Sequence, residues 1–269
     1  SGSAGPTGRP VSLLSFALQS ASWPNAYDFK VLNLLIHLAN TVLVAFIFNL
    51  IIKRLDVSLP SFYLALAAAF LWAIWPLQIS SVLYVVQRMV LLSSFFVLLG
   101  VYFYLVCRIK LDNEWCDQTD KWLYTILGLG CAGLLAIFSK ESGVLLLVYL
   151  LVLELLLFNK QGTLNPYVKA FRYAVIYLPI VLFVAYLVHK TYGHSERLFL
   201  LREFSLEERL LTQGRVMMDY LQSLFFPKAS NLGLYHDAYE KSTSIFAPIS
   251  TLFSWLAISA AVVSAILLR

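Results

Sequence analysis

Mostly apolar runs of about 20 residues, separated by short polar breaks, recur along this chain, and they constrain its fold more than any other feature. A helix crossing a bilayer must satisfy every backbone N–H and C=O within its own segment, which takes about that length. Candidate runs lie at 30–52, 61–84, 89–107, 122–138, 143–159, 171–188 and 246–268. They predict an all-α polytopic membrane helix bundle of about seven spans, forming one transmembrane domain over 1–269. Composition agrees: 60% of the residues are hydrophobic and 13% charged, against roughly 25% charge in soluble domains. A soluble globular protein is excluded.

The net charge of +5 matters through its placement. Lys53, Arg54, Arg108, Lys110, Lys121, Lys160, Lys169 and Arg172 fall in one alternating set of breaks, and Arg88 and Lys140 in the other. The positive-inside rule puts the first set in the cytoplasm and Ser1–Asp28 outside. A chain that starts outside with the loop SGSAGPTGRP and no signal sequence is expected to have a further span upstream.

Residues 189–244 form the one long break and are expected to be an extracytoplasmic loop. Within it Leu206, Leu210, Leu211, Met217, Met218, Leu221, Leu224 and Phe225 recur at helical spacing among charges. This predicts an amphipathic helix over 205–226 that lies along the membrane surface or simply covers the bundle, stopped by Pro227. Trp75-Pro76 is expected to break the second span and line a cavity, because proline lacks the backbone donor.

Polar residues inside spans normally face the bundle interior or a wet cavity. Lys30, Asn33, His37 and Asn40 share one face of the first span. Asn33 and His37 are candidate cavity-lining residues, with interhelical hydrogen bonding as the plainer role. Arg9, Arg88 and Lys140 sit at outer span ends, against the positive-inside rule. Cations there suit a lipid phosphate, which needs charge-assisted donors; the alternative is snorkelling to the headgroups. Glu141, Asp28 and Asp237 are candidate general bases, and spacing alone selects none of them. Glu154 is expected to be a structural partner of Lys160. Cys107, Cys116 and Cys131 show neither zinc nor disulfide spacing. The absence of glycine-rich nucleotide loops, H-E-x-x-H, G-x-S-x-G and basic-aromatic stripes argues against nucleotide-sugar chemistry, those hydrolases and nucleic-acid binding.

At these positions the chain resembles a known family. Gly8-Arg9-Pro10 with Leu14-Ser15-Phe16, the segment Leu32–Asn40, Val82–Ser93 and Ser139-Lys140-Glu141-Ser142-Gly143 carry the likeness, as do Arg209, Leu211-Thr212, Tyr220, Pro227, Leu232 and Asp237. These are similar to motifs of the transmembrane and tetratricopeptide-repeat O-mannosyltransferases and their bacterial relatives, in the GT-C superfamily. The resemblance implies an inverting enzyme that moves a sugar from a polyprenyl-phosphate carrier to a hydroxyl of a protein or glycan, outside the cytoplasm. It implies donor phosphate binding by Lys140, Arg88, Arg9 and Arg209, a cavity bordered by Asn33, His37 and Asp237, and a direct role for Glu141. The family's acidic pair lies upstream of the segment present here, and the tetratricopeptide tail is absent, which favours a bacterial inner-membrane relative facing the periplasm. No metal ligand set is assigned and metal dependence stays open. The competing class is a non-enzymatic transporter or assembly-scaffold subunit; a ligase of lipid-linked glycans would share the donor chemistry.

Overall fold

The computed structural model describes residues 8–56, 58–113, 119–158, 166–199, 205–227 and 239–267. Their regular structure is helical, with no strand among the described residues. The helices are α1 (Pro10–Ala17), α2 (Ala26–Arg54), α3 (Ser61–Ala73), α4 (Gln78–Leu83), α5 (Arg88–Asn113), α6 (Thr119–Ser139), α7 (Leu145–Leu153), α8 (Pro166–Arg172), α9 (Leu178–Phe199), α10 (Leu206–Phe225) and α11 (Ser250–Leu267). The chain clusters into two compact units, Ser1–Phe183 and Val184–Arg269.

Four helical stretches among the described residues are long and apolar enough to cross a membrane, fewer than the seven runs: Ala26–Arg54, Val85–Lys110, Glu141–Phe158 and Val168–His189. The other runs form shorter apolar helices, Ser61–Ala73, Ile126–Ser139 and Ser250–Ala265. The reason is clearest at 61–84, where α3 stops at Ala73 and the chain turns through Trp75-Pro76 before α4. Pro76 has no N–H with which to continue the ladder.

Helix α2, with 29 residues, is roughly 44 Å long at 1.5 Å per residue. Asn25 caps its start by accepting from the Tyr27 N–H at 3.1 Å, and Asp28 and Lys53/Arg54 complement its dipole at the two ends. Its buried stripe is Phe29, Asn33, His37, Asn40, Val44 and Ile47, at helical spacing. Lys30, grouped with that stripe by sequence, points outward instead. The opposite face exposes Leu34, Leu35, Leu38, Val42 and Phe46. Polar inside and apolar outside is the reverse of a water-soluble helix, and lipid is the solvent that stabilises it.

In the first unit α5 packs against α2, α6 and α7. Gly143 lets the chain after α6 fold back: a Cβ there would lie 2.3 Å from the Ala136 carbonyl carbon. In the second unit α10 crosses α11 at Gly214, where a Cβ would meet Trp255 Nε1 at 2.7 Å. Trp255 Nε1 donates to Leu211 O at 3.2 Å, and Thr212 Oγ1 accepts from Ser242 N at 2.9 Å. The helix predicted over 205–226 thus forms as α10, with Ser205 and Glu208 making a reciprocal capping box.

Candidate functional site: a charged group at the turn after α6

Two groups of charge stand out in the first unit. One gathers where α6 ends, at the turn Ser139–Val144. Lys140 has extended backbone between α6 and a 3-10 turn at Glu141–Val144, so adjacent side chains diverge. Glu141 turns toward Arg9, which precedes α1 and adopts a left-handed conformation (φ 46°) after Gly8. Arg9 Nε and Nη2 donate to Glu141 Oε2 at 3.0 and 2.8 Å, and Nε reaches Oε1 at 3.1 Å. Arg9 Nη1 also lies 3.4 Å from Met89 Sδ. Ser12 Oγ donates to Ser139 O at 2.8 Å, fastening α1 to the end of α6.

Lys140 is half-buried, and among the described residues its Nζ forms no hydrogen bond or ion pair. Burial holds its pKa below the ordinary 10.5; neighbouring Arg9 pushes the same way, and Glu141 opposes them in part. Of these three side chains two are cations and one is an anion. An incoming anion would complete the hydrogen bonding of Lys140 and relieve its repulsion with Arg9.

The other rule-breaking cation behaves differently. Arg88, expected to bind donor phosphate, is completely buried and gives its N–H groups to Asn33, Ser15, Phe29 and Gln19. Phe16 and Phe29 rings lie 4.6 and 5.2 Å from its guanidinium carbon. Four protein acceptors take N–H groups of its fork, which ties residues 15–19 to α2. Asn33 belongs to the same knot, donating Nδ2 to Val82 O and Tyr84 O at 3.3 and 3.1 Å. His37 stacks on Trp72 at 5.3 Å and its Nε2 lies 3.0 Å from Ala73 O, the carbonyl at the end of α3. Asn33 thus ties α2 to the end of α4 and the residue after it, and His37 ties α2 to the end of α3. Glu141, a candidate for direct participation, anchors Arg9 here. Arg209 lies exposed on α10 in the second unit, and Asp237 lies outside the described residues.

The second charged group is a buried one around Glu154, whose arginine partners the sequence reading did not contain. Glu154 is completely buried, and its partners are Arg108 and Arg172, at 3.3 and 3.1 Å, together with the Tyr104 hydroxyl; Lys160 lies outside the described residues. Arg172 Nε is close in charge but not aligned for a hydrogen bond, while its Nη2 donates to the Tyr177 hydroxyl at 3.1 Å. Wide π turns at Glu154–Phe158 and Tyr173–Tyr177 follow the two elements that bring Glu154 and Arg172 together. An acid inside an apolar run requires a cation, and arginines at the edges of neighbouring runs were the available signal.

No family model, curated protein or solved structure matches this chain. Among the described residues no cluster of His, Cys, Asp and Glu could hold a metal ion.

Proposed function

We propose that this chain is the membrane core of an inverting glycosyltransferase that uses a polyprenyl-phosphate-linked sugar and a hydroxyl acceptor on a protein or glycan. The observation that carries the reading is Lys140: a half-buried cation without a protein acceptor among the described residues, beside Arg9, at the end of an apolar bundle. A lipid-linked phosphate matches both halves of that surface, its chain in contact with the bilayer and its headgroup with the cations. The resemblance to the O-mannosyltransferases and their bacterial relatives supports the same donor, and it favours an inner-membrane enzyme acting on the periplasmic side.

In the reaction, the acceptor oxygen bonds to the anomeric carbon as the bond from that carbon to the phosphate oxygen breaks. The phosphate leaves with the electron pair, and Lys140 and Arg9 stabilise its growing charge. The hydroxyl proton passes to a carboxylate, with Glu141 and Asp28 the candidates within the first unit.

The test is a transfer assay on the full-length protein in lipid nanodiscs, with a labelled polyprenyl-phosphate sugar. Lys140→Ala should weaken donor binding and transfer at least about tenfold, the scale of one charge-assisted hydrogen bond. Transfer and donor affinity equal to wild type in that variant would sink the assignment.

A further inference from the structure

Helix α1 has only 8 residues and no side-chain cap, far short of the roughly 12–15 residues at which isolated helices become even marginal. Its position must come from ties to the rest of the unit. At its N-terminal end Arg9 reaches Glu141, and in its first turn Ser12 reaches Ser139. At its C-terminal end the tie is Arg88. Nη1 of Arg88 donates to Ser15 O at 3.2 Å and Nη2 to Gln19 Oε1 at 2.7 Å. The same guanidinium donates to Phe29 O and Asn33 Oδ1 on α2, each at 3.1 Å. The next residue on α5, Met89, supplies the sulfur that Arg9 approaches. Neighbouring residues of one rigid helix thus meet both ends of α1.

We infer that Arg88 is a positioning residue: it holds α1 so that Arg9 reaches Glu141 beside Lys140, and it acts on a bound phosphate only through α1. This rests on the phosphate site proposed at Lys140. Planarity explains the use of arginine. Its fork serves two elements at once, whereas a lysine ammonium is a point charge that cannot hold all four acceptors in those directions.

The experiment uses the full chain in detergent with farnesyl phosphate as probe and farnesol as the uncharged control. Arg88→Lys keeps the charge and loses the fork. Gln19→Ala removes one tie at a half-exposed position and leaves the buried packing intact. Binding and amide hydrogen exchange are measured together. The expected result for Arg88→Lys is about tenfold weaker farnesyl phosphate binding, with faster exchange in α1; Gln19→Ala should show a smaller change of the same kind. Weakened binding with unchanged exchange in α1 would mean direct contact between Arg88 and the anion and would overturn the inference. So would a loosened α1 with wild-type binding in either variant. A wild-type chain that binds farnesyl phosphate no better than farnesol removes the phosphate site itself, and this role with it; that failure is visible before any variant is made.

Discussion

Arg9 and Glu141, 132 positions apart in the chain, meet through hydrogen bonds of 2.8–3.1 Å and bring a second cation beside Lys140. Together with Lys140 the pair gives the turn after α6 a net positive group. Lys140 is the member of that group without a protein acceptor among the described residues, so its titration should be visible in both binding and stability.

Lys140 loses its proton in the folded protein below the ordinary lysine value of 10.5. As pH rises through that lowered value, the unfolded chain holds more protons than the folded one, so stability increases with pH in that window. Affinity for farnesyl phosphate should fall over the same window, because the neutral amine no longer attracts the anion. Lys140→Arg should flatten both trends, since arginine does not titrate there. Binding isotherms and thermal melts between neutral pH and pH 10.5 check this; identical alkaline loss of binding in wild type and Lys140→Arg would refute it.

Glu154 is shared by the buried Arg108 and Arg172, so removing its charge breaks both ion pairs at once. Glu154→Gln should cost about 3–5 kcal/mol, the range for breaking a buried ion pair from one side. Detergent unfolding titrations measure the loss, and a variant within error of wild type would mean that Arg108 and Arg172 do not depend on this carboxylate.

Gly143→Ala should disrupt the turn carrying Lys140 and Glu141, because the new Cβ would sit 2.3 Å from backbone that cannot move aside. A loss of about 1–3 kcal/mol is expected, typical of forced overpacking. Gly128→Ala is the internal control, with its nearest neighbour 3.9 Å away, and it should be neutral or slightly stabilising. Equal melting temperatures for the two variants would contradict the close approach at Gly143.

Ser205→Ala should destabilise α10 by about 1 kcal/mol through loss of the N-cap. Glu208 titrates below its ordinary value chiefly because the Ser205 backbone N–H donates to it, with Lys241 adding to the effect. Its contribution is therefore present above the ordinary carboxylate pKa and disappears as pH falls through the lowered one. Hydrogen exchange in the first turn of α10 should quicken in acid in the wild type. In Glu208→Gln that acid dependence should vanish, and its persistence would assign the effect to another group.

The sequence by itself determined that this chain needs lipid, because an α2 with Asn33, His37 and Asn40 on one face and leucines on the other is stable only with the polar face buried. It also determined the break at Trp75-Pro76, the turn at Lys140-Glu141 and the extent of α10, since these depend on local chemistry: a missing donor, a glycine, a capping pair. Tertiary structure decided which charges meet. Arg9, Arg88 and Lys140 look alike as cations at outer span ends, yet one pairs with Glu141, one is enclosed by Phe16, Phe29 and backbone carbonyls, and one keeps its ammonium without a protein acceptor among the described residues. Glu154 likewise finds Arg108 and Arg172, which lie on other segments. Such pairings depend on contacts tens to more than a hundred residues apart in the chain, where spacing carries no information and packing alone brings the groups within reach.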